Sequence, residues 1–173
     1  MPTENELKYV LDLACEQDIA KRALQKLQLR QAYLSNAVRI RKVIEQTSDC
    51  YRLQHWLTFK KEVSGRVIEI EKRISPRDFR DLWSVSENKL RKSRYNLNQG
   101  EWEIDAFHDE QGKTYIVVAE HEMIEGQMEP ETIPGYISNN LVYAVPKTDD
   151  RFFSKKLADI EYAKKLYSEL KEK

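Results

Sequence analysis

The chain has 173 residues, 34% charged and 40% hydrophobic, with five Gly and five Pro. A chain of this size buries on the order of 70% of its unfolded surface, and its composition excludes fibrous and low-complexity classes. Lys plus Arg and Asp plus Glu each total 29, so no global field draws in nucleic acid or anionic lipid, and any electrostatic function is local.

The opening segment, MPTENELKYV, lacks the basic start and apolar core of a secretory signal, and the longest strongly apolar run, Tyr115 to Ala119, is too short to span a bilayer. These features predict a cytoplasmic protein with neither a membrane nor a nucleic-acid partner, and leave monomer and homodimer both open. Cys15 and Cys50 form neither a CxxC motif nor a disulfide framework.

In chain order, Glu4 to Asp12 alternates polar and apolar residues, with Glu4, Glu6 and Lys8 opposite Leu7, Tyr9 and Leu11, and reads as a first strand. Cys15 to Leu29 then carries Ile19, Ala23 and Leu27 at helical spacing, with Asp12 as a candidate cap, so a connecting helix is expected there. Period-two segments follow at Gln31–Leu34, Ala37–Glu45, Tyr51–Lys61, Arg66–Ile74, Lys89–Leu97, Glu101–His108 and Thr114–Glu122. Short Gly-containing joints at Val63-Ser-Gly65, Asn98-Gln-Gly100 and Asp109 to Gly112 read as hairpin turns. Ser75-Pro76 opens a second helix with Phe79, Leu82 and Trp83 on one stripe. A Pro- and Glu-rich loop spans Glu125 to Gly135, and Tyr136 to Pro146 has no assigned element. A closing helix begins near Ser154, with Leu157, Ile160, Ala163, Leu166 and Leu170. No internal repeat divides the chain, and one domain over residues 1–173 is expected.

Like charges recur two apart, so each pair shares a strand face at roughly 6.5–7 Å. They are Glu4 and Glu6, Arg39 and Arg41, Glu69 and Glu71, Lys92 and Arg94, Glu103 and Asp105, and Glu120 and Glu122. Any single pair suits the solvated face of a half-buried sheet. As a set, opposite apolar faces such as Ile68 with Ile70 and Trp102 with Ile104, they suit a sheet curled around a charged interior. Arginine and lysine match polyphosphate oxygens, while clustered carboxylates are hard oxygen ligands for Mg²⁺ or Mn²⁺. A metal–polyphosphate complex satisfies both.

Glu4-x-Glu6-x-Lys8 resembles the ExExK signature of the CYTH superfamily, the triphosphate tunnel metalloenzymes. Val38-Arg-Ile-Arg41, Leu57-Thr-Phe-Lys60, Glu69-Ile-Glu71, Lys92-Ser-Arg-Tyr95, Trp102-Glu-Ile-Asp105, Ala119-Glu-His-Glu122 and Arg151-Phe-Phe-Ser154 follow in that family's order. The resemblance implies a mainly β (α+β) fold: an eight-stranded antiparallel closed β-barrel tunnel with flanking helices and a C-terminal helix. It implies that Lys8, Arg39, Arg41, Lys60, Lys92 and Arg94 hold phosphate oxygens, Lys92 also acting catalytically. Glu4, Glu6, Glu120 and Glu122 would hold the substrate-bound Mg²⁺ or Mn²⁺. Glu69, Glu71, Glu103 and Asp105 would line the remaining acidic wall as catalytic residues, where a second metal would position the attacking water, and Arg66 and Arg151 would sit at the rim. Lys61 departs from the family where a glycine often follows the lysine, and Val43 to Trp56 is longer than in compact members.

The implied reaction is metal-dependent hydrolysis of a triphosphate, with inorganic tripolyphosphate going to pyrophosphate and phosphate. A class IV-type adenylate cyclase and a non-catalytic triphosphate- or polyphosphate-binding module are the alternatives. The inferred inward positions are nearly all charged and reveal no apolar slot, which favours tripolyphosphate over ATP. His55, His108 and His121 are candidates for acid–base work. His121 nevertheless falls between two inward carboxylates and so points outward, His55 has the wrong parity relative to Lys60, and His108 lies at a strand end. Trp56, Trp83 and Trp102 show no spacing typical of single-stranded nucleic-acid binding.

Overall fold

The computed structural model describes residues 5–97, 102–124 and 126–172. Its strands are β1 (Glu6–Leu11), β2 (Gln25–Tyr33), β3 (Val38–Gln46), β4 (Tyr51–Val63), β5 (Arg66–Arg73), β6 (Glu87–Leu97), β7 (Trp102–His108), β8 (Thr114–Glu122) and β9 (Leu141–Val145). They form one nine-stranded antiparallel sheet in the order β5-β4-β3-β2-β6-β7-β8-β1-β9. The fold is therefore mainly β with a few helices, including a C-terminal one.

The sheet does not close into an eight-stranded barrel. Closure would require β5 to hydrogen-bond to the far side of β1, but β9 occupies that side through Lys8↔Val145 and Tyr9↔Ala144. β5 and β9 remain as the two edges. β9 and a short helix, α3 (Gly135–Ser138), occupy the stretch from Tyr136 to Pro146 to which the sequence assigned no element.

The expected helix over Cys15–Leu29 is cut short. A 3₁₀ turn at Leu13–Cys15 leads into α1 (Glu16–Arg22), and β2 begins at Gln25. Leu27, Leu29 and Gln31 alternate with exposed Lys26, Gln28 and Arg30. Period two thus prevails once tertiary packing chooses between the two patterns. The predicted turn at Asn98-Gln-Gly100 and the strand residue Glu101 lie outside the described residues, as does Glu4. At the β4–β5 hairpin, Ser64 (φ 52°) and Gly65 (φ 75°) both take positive φ, matching the right-handed twist of the flanking strands.

Hydrophobic side chains are sorted by strand parity. On the outer side, Tyr9, Trp102, Ile104 and Ala119 pack with Ile19 of α1 and Ile137 of α3. Farther along, Ala32 and Ile40 meet Phe79 of α2 (Pro76–Val85), which Ser75 caps through the Asp78 N–H. On the inner side, Val10, Leu90, Phe107, Ile116 and Val118 pack against Leu157 of α4 (Ser154–Leu157) and Ala163 and Leu166 of α5 (Ile160–Lys171). Each inner strand face thereby changes character along its length. Val10 gives way to Lys8 and Glu6, Leu90 to Lys92 and Arg94, Phe107 to Asp105 and Glu103, and Val118 to Glu120 and Glu122. The C-terminal helices seal the apolar end, and the charged ends stand above that floor.

Candidate functional site

Above the floor lies a cavity of about 680 Å³. The curl of the sheet is enough for Glu6 and Lys8 of β1 and Lys60 and Glu69 near the opposite edge to line the same space. Arg39 and Arg41 of β3, Lys92 and Arg94 of β6, Glu103 of β7, Glu120 and Glu122 of β8, and Lys155 at the rim complete its charged lining.

On the β3–β5 side, Arg39 pairs with Glu69 at 3.4 Å, Lys60 with Glu69 at 3.3 Å, and Arg41 with Glu71 at 3.1 Å. Glu71 also accepts a hydrogen bond from the buried Thr58 hydroxyl at 2.9 Å. The Nε atoms of Arg39 and Arg41 are buried without an acceptor. Buried donors are almost always satisfied; the same two residues line the cavity. Burial, followed by the neighbouring charges of Arg39 and Arg94, pulls the Arg41 guanidinium below its ordinary range.

At the centre, Asp105 is 1% exposed and accepts from Lys92 and from Arg94, the latter through Nε at 2.7 Å and Nη2 at 2.8 Å. Burial alone would raise this carboxyl, but Arg94 and Lys92 outweigh it and hold Asp105 ionised well below the usual carboxylate range. Burial also draws the Lys92 ammonium below its ordinary range, with Asp105 opposing that change. Arg94 reaches further, to Glu103 at 2.5 Å and Glu120 at 3.5 Å.

On the β1–β8 side, Lys8 lies between Glu6 at 3.1 Å and Glu120 at 2.8 Å. Burial and then the charge of Glu120 raise the Glu6 carboxyl despite Lys8. Among the described residues no three His, Cys, Asp or Glu side chains converge closely enough to form a metal site, and Glu4 lies outside them. The available donors on Glu6, Glu120 and Glu122 are nonetheless hard oxygens facing one cavity, and their chemistry fits Mg²⁺ or Mn²⁺.

The acidic groups are distributed differently from the expected single wall. Glu69 and Glu71 stand on edge strand β5 as partners of the β3 and β4 cations, whereas Glu103 and Asp105 belong to the β6–β7 cluster. Glu71 and Asp105 are not part of the cavity lining; they hold residues that are. The two rim candidates lie elsewhere. Arg66 begins β5, and Arg151 bonds Asp149 at 2.7 Å while lying over the Tyr143 and Phe152 rings.

None of the three histidines lines the cavity. His55 packs on Phe79, His121 stacks on Trp102 at 4.7 Å, and His108 contacts the Ser93 and Thr114 hydroxyls.

Several lining residues escaped the sequence reading. Gln31, 1% exposed, donates to the Tyr33 hydroxyl at 2.7 Å, and burial raises that phenol. Both share the parity of Leu29, so reading residues 25–33 as one strand would have found them. Asn36 and Ala37 from the β2–β3 turn, Val38 at the start of β3, and Phe153, Ser154 and Lys155 from the C-terminal segment form the remaining rim. Val38, Phe153 and Ser154 fall within motifs quoted from the sequence, but only the tertiary structure brings them with Asn36, Ala37 and Lys155 to one rim.

No protein-family model matches the chain, and no curated protein matches it. Among solved structures it is similar to the PH1819 protein from Pyrococcus horikoshii OT3, at 17% identity and a TM-score of 0.44, over 97% of this chain and 90% of that one. That degree of likeness carries no functional argument, and the reading below rests on the side chains of this chain.

Proposed function

We propose that the protein is a divalent-metal-dependent triphosphatase, hydrolysing a phosphoanhydride bond of a triphosphate, with linear tripolyphosphate as the minimal substrate. One observation carries the reading: cations from β1, β3, β4 and β6 meet carboxylates from β1, β5, β7 and β8 in one cavity. The resemblance of the strand motifs to the CYTH superfamily points the same way.

Arg39, Arg41 and Lys60 bind phosphate oxygens and exchange some of their contact with Glu69 and Glu71 for the ligand. Lys92 and Arg94, fixed by Asp105, place positive charge on the phosphoryl group undergoing transfer, where preorganised charge is most effective. Glu6, Glu120 and Glu122, with Glu4, would hold Mg²⁺ or Mn²⁺, which when bound neutralises phosphate charge as a Lewis acid. Lys8, already between Glu6 and Glu120, screens their mutual repulsion and contributes a phosphate contact. The α4–α5 floor limits solvent access from below.

Release of phosphate and pyrophosphate from tripolyphosphate and ATP, with Mg²⁺ or Mn²⁺ and with or without EDTA, tests the proposal. Metal-dependent phosphate release supports it. Cyclic AMP with pyrophosphate as the main ATP products would replace it with a cyclase, and saturable binding without turnover would reduce it to a binding module.

A further inference from the structure

Inside the sheet, Arg39, Arg41 and Arg94 are matched by carboxylates, but the outer face of the same strands carries cations that are not. Strand register sets Arg91 of β6 opposite Arg30 of β2, and Arg30 opposite Lys42 of β3, whose other neighbour is His55 of β4. Lys42 shares the face of Ile40, and Arg30 that of Ala32, so this row lies on the outer side, next to the strip that Phe79 of α2 covers. Arg30 and Arg91 are exposed and Lys42 is half-buried. Among the described residues none of the three forms an ion pair, although like charges directly opposite on neighbouring strands are destabilising. Burial first and Lys42 second pull the His55 imidazole below its ordinary range, as an uncompensated positive row beside it requires. The next row along the strands is uncharged: Gln28, Ile44 and Leu53 stand opposite one another. Leu53 is 42% exposed, and Tyr51, two residues away on the same face of β4, is 62% exposed.

Neighbouring strands lie about 4.8 Å apart, so Arg91 and Lys42 stand about 10 Å apart on either side of Arg30. On a helix, carboxylates at i, i+4 and i+7 share one face and span about 10.5 Å along the axis, the length of this row. A helix is about 10–12 Å wide with its side chains, so its adjoining stripe falls on the uncharged row, about 7 Å farther along the strands. We infer that the outer face of β6, β2, β3 and β4 docks an acidic amphipathic helix of a partner protein, with carboxylates on Arg91, Arg30 and Lys42 and an apolar stripe on Ile44 and Leu53. Sequence-tolerant binding of single-stranded nucleic acid instead stacks successive bases on several aromatic side chains, and this face presents Tyr51 at one corner. The inference uses none of the cavity residues and stands apart from the triphosphatase reading.

The test is fluorescence anisotropy of a labelled helical peptide with Glu at i, i+4 and i+7 and Leu on the adjoining stripe, titrated with the full chain at low and high salt. A peptide of the same residues in scrambled order, a single-stranded RNA and vesicles containing phosphatidylserine are titrated beside it. The patterned peptide should bind saturably, and more weakly at high salt. Arg30→Glu with Lys42→Glu should weaken that binding about tenfold or more, because facing like charges across an interface are strongly unfavourable. Leu53→Ser should weaken it about fivefold through lost apolar burial. Lys164→Glu with Lys165→Glu makes the same change in net charge on exposed positions of α5, across the sheet, and should leave binding within about twofold of wild type. Melting temperature is followed for every variant, and Arg30→Gln with Lys42→Gln, which should weaken binding in the same direction, replaces the Glu pair if that pair does not fold. Absence of saturable binding, equal binding of the scrambled peptide, or an equal loss in the Lys164 and Lys165 pair overturns the docking surface. Tighter binding of the RNA or the vesicles, lost in the Arg30 and Lys42 variants, also overturns it and assigns the face to nucleic acid or to a membrane.

Discussion

Replacing Asp105 with asparagine keeps its shape and removes a fully buried carboxylate beneath the cavity. Asp105 is 1% exposed and Lys92 4%, and Arg94 is bound to the same carboxylate through two nitrogens. The variant would leave the Lys92 ammonium desolvated beside a neutral amide and cost Arg94 its two-nitrogen partner, leaving it Glu103 and Glu120. Removing one partner of a buried ion pair costs about 3–5 kcal/mol, because the surviving charge keeps its desolvation penalty. At about 2–4 °C per kcal/mol for a chain of this size, the melting temperature should fall by roughly 6–20 °C. Glu103→Gln is the internal control: Glu103 touches the same Arg94, but its side chain is 38% exposed, so solvent screening limits the cost to about 1 kcal/mol or less. The loss in Asp105→Asn should also ease as pH rises. Lys92 already titrates below its ordinary range, and without Asp105 it sheds its proton more readily, so the unfolded chain binds more protons and stability increases with pH. Urea or thermal unfolding at pH 7 and 9 measures both effects. An Asp105→Asn protein within about 1 kcal/mol of wild type would refute the argument, showing that Lys92 and Arg94 are solvated rather than held by Asp105.

Glu6→Gln should raise stability by about 0.5 kcal/mol by relieving a carboxyl that burial and Glu120 disfavour as an anion, while lowering turnover steeply; a melting curve beside a phosphate-release assay checks both. On the proposed function, which assigns the Arg41 guanidinium to phosphate before and during transfer, Arg41→Ala should weaken tripolyphosphate binding at least as much as it slows turnover; calorimetric titration and kinetics separate the two. His121→Ala should cost about 0.5–1.5 kcal/mol through its lost stacking on Trp102 and leave kcat/KM within twofold. In wild type, the contribution of Asp105, whose carboxyl is depressed in the fold, should be complete above its ordinary value of 3.8 and disappear as pH falls below that point, as acid unfolding followed by circular dichroism would show.

Strand parity was legible in the sequence wherever charge and hydrophobicity alternated strictly. Arg39 and Arg41 against Ile40, or Glu103 and Asp105 against Ile104, could face only one way once one side was buried, because side-chain direction in a strand repeats every two residues. The outward placement of His121 followed from the same rule. Residues 15–29 satisfied two periods at once, and the choice between helix and strand there depended on the register that β3 and β6 impose on β2. β9 is a five-residue strand with weak alternation, and its position beside β1, which leaves the sheet open, depends on a partner more than a hundred residues away in the chain. The grouping of carboxylates was also decided by tertiary structure: Glu69 and Asp105 look equivalent in sequence, but strand order places one on an edge beside Arg39 and buries the other beneath Lys92 and Arg94. The aromatic rim belongs to the same category. Phe152 and Phe153 are indistinguishable as neighbouring residues, and only the docking of the C-terminal segment on the sheet sends one into the core and the other to the cavity mouth.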